Sequence, residues 1–128
     1  MAKKRNKNQL KLGKAEWEVM DTIWSLKGQP SVREVLDTAY PNKEKAYTTV
    51  QTTMNNIAEK GYLRRIKIGA VNFYKPLIKR EDLIQGETFT FVNKVFNGSF
   101  LALANHLFSS DSFSDEELEN LKRILQQK

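Results

Sequence analysis

After Gly61 the hydrophobic pattern changes period once, and that change limits the folds open to this chain more than any other feature. Up to Lys60 the apolar residues recur every three or four positions, the spacing of helices that bury one face. From Leu63 onward, "LRRIKIGAVNFYK" sets β-branched and aromatic residues on either side of Gly69-Ala70. This pattern predicts two strands, Leu63–Ile68 and Val71–Lys75, joined by a tight turn and closed by Pro76. Beyond Arg80 the helical period returns.

The helical segments carry their own start and stop signals. The first runs from Lys14 to Leu26, with Trp17, Met20, Ile23 and Trp24 on one face. Gly28 and Pro30 stop it. "SVRE" is a capping box, with Ser31 at the cap and Glu34 three residues on, and opens a short helix striped by Val32, Val35, Leu36 and Ala39. The third runs from about Ala46 to Lys60, buries Val50, Met54 and Ile57, and ends at Gly61. After the hairpin, a fourth helix spans roughly Arg80 to Phe96 and is broken by "NGS". Ser99 caps a fifth through about Leu107, and Ser114 caps a sixth striped by Leu118, Leu121, Ile124 and Leu125.

Three helices backed by a hairpin describe a winged helix. The expected fold is mainly α with a small β-hairpin, a winged helix-turn-helix domain followed by a three-helix dimerisation region. The expected division is a basic flexible arm over 1–13, the winged-helix domain over 14–78 and the helical dimerisation domain over 79–128.

Within the third helix, "YTTVQTTMNN" (Tyr47 to Asn56) holds no charge, in a chain whose charged fraction is 28%. Threonine is a mediocre helix former because its branched Cβ loses rotamer freedom, so propensity does not account for the run. At about 100° per residue, Val50, Met54 and Ile57 fall on one side. Thr48, Gln51, Thr52 and Asn55 fall on the other, with Thr49 and Asn56 at its edge.

A solvent-facing helix ordinarily carries lysine and glutamate there, and glutamate would repel phosphate. Threonine offers a donor, an acceptor and a methyl group; glutamine and asparagine offer paired donor and acceptor atoms. Such groups read base edges in a major groove. Thr48, Thr49, Gln51, Thr52 and Asn55 are therefore the candidate base-reading residues.

The competing reading is a polar face that meets only solvent. The surroundings favour DNA: the helix is third in order, follows a short capped helix and precedes a basic hairpin. Arg64, Arg65, Lys67 and Lys75 of the hairpin, with Ser31, Arg33 and Lys45, are candidates for contact with the phosphate backbone.

Charge supports a polyanionic partner. The net charge is +6, and Lys3, Lys4, Arg5, Lys7, Lys11 and Lys14 lie in a front segment with no acid. The segment from Asp111 to Glu119 is acidic, which suits the first turn of the sixth helix.

Enzyme readings find no foothold. The chain has no cysteine and a single histidine, His106, which gives no zinc ligand set and no triad pattern. It has no Gly-rich phosphate loop. No cofactor or metal is expected, and no enzymatic activity. Neither a secretory signal nor a membrane-spanning apolar run is read, so the protein is expected in the cytoplasm.

Beyond residue 80 the apolar residues Leu83, Phe89, Val92, Phe96, Phe100, Leu103, Leu107, Leu121 and Leu125 outnumber what three short helices can bury alone. So small a segment seldom builds its own stable core. A twofold pairing would bury these faces and set two reading helices on one side of a duplex. A winged helix that docks proteins instead of DNA is the alternative, and steep weakening of duplex binding with salt discriminates the two.

"AEWEVMDTIW", "TTVQTTMNNIAEKGYLRR", "FYKP" and "FVNKVFNGSF" resemble the penicillinase-repressor (BlaI/MecI) family of winged-helix transcriptional regulators, over nearly the whole chain from about Leu12. The resemblance implies a homodimeric repressor on palindromic double-stranded operator DNA. It also implies induction by proteolysis, in which a membrane sensor with a zinc protease domain detects a β-lactam and triggers cleavage in the dimerisation region.

The family's base-reading positions match Thr48, Thr49, Gln51 and Thr52. Some members carry arginine where this chain has Gln51, which changes the preferred base from guanine to adenine. In register, the family's Asn–Phe scissile bond falls at His106–Leu107, and "LALANHLF" holds no Asn–Phe pair. The cysteine-rich tail of the copper-responsive branch is absent.

Overall fold

The structure, a computed structural model, describes residues 11–127; Lys3, Lys4, Arg5 and Lys7 of the expected arm lie outside the described residues. The element order is α1 (Lys14–Leu26), α2 (Val32–Ala39), α3 (Tyr47–Glu59), β1 (Leu63–Ile68), β2 (Val71–Pro76), α4 (Arg80–Phe96), α5 (Phe100–Ser109) and α6 (Asp115–Gln126). This is the mainly helical fold with one antiparallel hairpin that the change of period predicts. The chain divides into two compact units, one ending at Ile84 and one starting at Gln85, so the division falls within α4.

In the first unit the caps explain the boundaries. The Ser31 hydroxyl accepts from the Glu34 amide at 3.2 Å, and the Glu34 carboxylate accepts from the Ser31 amide at 3.1 Å. This reciprocal box starts α2 at its predicted place. At the end of α3, Gly61 takes a φ of 89°. Its amide donates to Ala58 at 2.9 Å, and the next amide, Tyr62, reaches back to Ile57 at 3.3 Å. These are the two bonds of a Schellman ending, which needs a residue at ease in the left-handed region.

The chain then turns into β1. Strands β1 and β2 pair antiparallel from Leu63 opposite Pro76 to Ile68 opposite Val71. Gly69, at a φ of 63°, is the first residue of the two-residue turn, a position that favours glycine in hairpins.

The core of this unit gathers Val19, Met20 and Ile23 of α1, Val32, Val35 and Leu36 of α2, Val50, Met54 and Ile57 of α3, and Leu63 and Tyr74 of the hairpin. Each aliphatic side chain so buried contributes about 1.5–3 kcal/mol of transfer free energy. Trp17 and Trp24 pack partly buried at the edge, and the Trp24 indole N–H donates to the Ile78 carbonyl at 3.0 Å.

Three residues depart from expectation: Leu12, Leu83 and Val92, the last placed by sequence with the dimerisation surface but fully buried within the chain. Leu12, placed by sequence in the arm, is buried with this core. Leu83, placed with the dimerisation surface, is 3% exposed and belongs to the same core, so it presents no surface for a partner.

In the second unit, α5 and α6 bury no residue, and Val92 is the fully buried side chain among its described residues. Aromatic contacts hold it locally: Phe89 meets Phe100 edge-on at 5.3 Å, and Phe108 meets Phe113 at 5.3 Å. Phe91, Val95, Leu101, Phe108, Ile124 and Leu125 stay exposed. That is a large apolar surface for so small a unit.

Candidate nucleic-acid interface

Burial of Val50, Met54 and Ile57 fixes the rotation of α3. Thr48, Thr49, Thr52 and Asn56 are consequently exposed, and Gln51, Thr53 and Asn55 are partly so. Among the described residues, no hydrogen bond engages the side chains of Thr48, Thr49, Gln51 or Thr52. Thr53 differs, because its hydroxyl donates back to the Thr49 carbonyl at 2.9 Å, the helical back-bonding open to threonine. The free face is uncharged, and the first turn of α3 contains no acid. An anionic partner meets no repulsion there and sees the positive end of the helix dipole.

Asn55 stands apart from the other candidates. Its side-chain oxygen accepts the Tyr74 hydroxyl at 2.7 Å and an Arg65 guanidinium N–H at 2.9 Å. Arginine only donates, so the amide oxygen must face it. Asn55 was expected to offer a donor and an acceptor to a base, but its acceptor is engaged within the protein. Tyr74 is fully buried. Burial pushes its pKa up, against the opposing effect of Arg65, which keeps the phenol protonated as a donor at neutral pH.

The basic candidates fall into distinct places. Strand alternation and the register set Arg65 and Lys67 on the face of Leu63 and Tyr74, while Arg64 and Lys75 pair on the opposite face. All four are exposed. Arg33 is exposed at the start of α2; it lies 3.8 Å from Asp37 and its guanidinium sits 5.1 Å from the centre of the Tyr47 ring. Lys45 lies 5.7 Å from the Tyr40 ring.

Ser31 differs from the other six. It is 9% exposed, its hydroxyl caps α2, and it forms a β-bridge with Phe73. The cap and the bridge join the second helix to the hairpin.

Tyr47 was not singled out by sequence reasoning. It is the first residue of α3, 40% exposed, and it carries Arg33. An arginine and a tyrosine that each open a helix were the available signal, but only the folded turn between α2 and α3 brings them together.

His106 and Leu107, the positions of the expected scissile bond, lie inside α5. The His106 carbonyl accepts the Ser110 amide at 3.1 Å, and the His106 ring is 5.9 Å from that of Phe96. No cluster of metal-ligating side chains occurs among the described residues. No helix among them is long and apolar enough to cross a membrane.

The penicillinase-repressor family model matches residues 12–127. The methicillin resistance regulatory protein MecI of Staphylococcus aureus (strain N315) is 29% identical over 117 residues, covering 91% of this chain and 94% of its own length. The penicillinase repressor of Bacillus licheniformis is 30% identical over 113 residues, 88% of each chain. The transcriptional regulator BlaI of Mycobacterium tuberculosis (strain CDC 1551 / Oshkosh) is 33% identical over 76 residues, 59% of this chain and 55% of its own.

Proposed function

This chain belongs to the penicillinase-repressor (BlaI/MecI) family of winged-helix, sequence-specific DNA-binding repressors, and from that premise we propose that it acts as a homodimer on a palindromic operator. The single observation that carries the reading is the uncharged face of α3 formed by exposed Thr48, Thr49 and Thr52 and partly exposed Gln51, whose side chains make no hydrogen bond among the described residues. These side chains offer hydroxyls, methyls and an amide at a surface fixed by the buried stripe behind them. A major groove takes such a helix face and reads it.

The surrounding charges supply the rest of the affinity. Arg33 and Lys45 near the helix starts, with Arg64, Arg65, Lys67 and Lys75 on the hairpin, neutralise phosphates and make binding salt-dependent.

The exposed aromatic and aliphatic residues of the second unit support pairing with a second copy. Phe89, Phe96, Phe100, Leu103, Leu107, Leu121 and Leu125 would form that surface, together with Leu101 and Phe108. A dimer of this kind sets two copies of α3 about 34–36 Å apart, or a multiple of that, one helical turn of the duplex. The residues from 14 to 78 form the DNA-binding part in this reading, 79 to 128 the pairing part, and 1 to 13 a basic arm.

The relatives include a regulator of methicillin resistance and penicillinase repressors, so a gene for β-lactam resistance is the favoured target class. Induction through a membrane sensor protease would require cleavage in α5 at His106–Leu107. The site of action is the cytoplasm, where the operator lies.

Genome-wide mapping of bound sites tests the reading. Enrichment of inverted repeats near promoters is expected. Binding with no shared motif would reject it.

A further inference from the structure

Asn55, Tyr74 and Arg65 form a closed set of contacts between the reading helix and the wing. The oxygen of Asn55 takes both available donors, the Tyr74 hydroxyl at 2.7 Å and the Arg65 guanidinium at 2.9 Å. Tyr74 is fully buried in the core, so the amide is anchored from below. Arg65 is exposed and would otherwise sweep a wide volume from its strand. One of its five N–H donors is held by Asn55, and the guanidinium also acts on the Tyr74 phenol beside it. With five N–H donors in a planar fork, an exposed guanidinium held this way can still serve a pair of acceptors.

We propose that Asn55 and Tyr74 are positioning residues that hold Arg65 against α3, so that a wing arginine becomes part of the surface that meets the duplex. The inference rests on the reading of α3 as the DNA-facing helix and deepens it.

Two consequences follow from the chemistry. Asn55 itself presents only N–H donors outward, so it cannot make the donor-plus-acceptor pair that recognises adenine. Arg65 is matched to paired acceptors, which the duplex offers as the N7 and O6 of guanine or as two phosphate oxygens. Holding the arginine in place beforehand also lessens the side-chain freedom lost on binding.

The test uses the full chain as wild type, Asn55→Ala, Arg65→Ala, the double variant and Tyr74→Phe. Each selects from a library of random-sequence duplexes, followed by affinity measurements across salt on the duplex the wild type prefers. Asn55→Ala and Arg65→Ala are expected to weaken binding by similar factors, and the double variant no more than Arg65→Ala alone. Tyr74→Phe keeps the buried ring and moves in the same direction, while melting curves confirm that each variant is folded.

If the partner is guanine, preference at one base position falls by about 5- to 150-fold in both single variants. If it is phosphate, all duplexes weaken alike and the salt slope falls by about one contact. Losses that multiply in the double variant would overturn the proposal. So would an adenine preference lost in Asn55→Ala and kept in Arg65→Ala, which would make Asn55 a direct reader. A wild type that selects no motif and binds no duplex would instead reject the reading of α3 itself.

Discussion

The guanidinium of Arg33 lies 5.1 Å from the centre of the Tyr47 ring, joining the first turn of α2 to the first turn of α3. A cation over an aromatic face at an exposed site stabilises by about 0.5–1 kcal/mol. The contact also fixes where Arg33 holds its charge. Tyr47→Ala is therefore expected to lower stability by about that amount and to weaken binding to all duplexes alike. Urea denaturation and binding to a random-sequence duplex check both effects. A change in sequence preference would mean that Tyr47 touches bases.

Ser31 separates capping from phosphate contact. Its hydroxyl accepts the Glu34 amide, so Ser31→Ala is expected to cost about 1 kcal/mol of stability. The salt slope of duplex binding should stay unchanged. A shallower slope with unaltered stability would return Ser31 to the phosphate-binding set.

Tyr40 makes stability depend on alkaline pH. Burial first, and then the hydrogen bond to Glu18, push its pKa from 10.0 up to about 12. The folded state thus keeps the phenol proton over a range where the unfolded chain loses it. The stabilisation is complete below pH 10.0 and is lost as pH rises toward 12. Unfolding free energy measured across that interval should fall more steeply in the wild type than in Tyr40→Phe. Equal slopes would show that Tyr40 contributes nothing to the alkaline loss.

Leu83 and Leu125 should separate folding from pairing. Leu83 is 3% exposed in the core of the first unit, and Leu125 is 68% exposed on α6. Leu83→Asp buries an unpaired charge and is expected to abolish the cooperative melt. Leu125→Asp should leave the chain folded while shifting its sedimentation from dimer toward monomer at micromolar concentration. A wild type that sediments as a monomer there would remove the basis for the second expectation.

Much of the fold was legible because its boundaries are written in local chemistry. The Ser31 box, the Ser114 cap, whose hydroxyl accepts the Glu117 amide at 3.1 Å, the Gly61 ending and the Gly69 turn each act within a few residues, and the structure has them where the pattern predicts. The orientation of α3 was legible for the same reason, since Val50, Met54 and Ile57 set it.

What escaped the sequence depends on neighbours distant in the chain. Leu83 has the same spacing as an interface residue, and only packing against the first unit distinguishes the two. Asn55 lies on the same wheel face as Thr52, yet Tyr74 and Arg65 arrive from the hairpin to claim its oxygen. Tyr47 and Arg33 are unremarkable until the turn between their helices closes.

Thr48, Thr49, Gln51 and Thr52 are the side chains proposed to meet base edges. The most direct test of that contact compares Gln51→Ala and Thr52→Ala with the wild type, each titrated at one salt concentration on a mapped operator duplex and on a random-sequence duplex. Operator affinity is expected to fall by about 5- to 150-fold for a lost bidentate contact at Gln51, and less for Thr52, with random-sequence affinity unchanged. Equal losses on both duplexes would contradict the proposed contact.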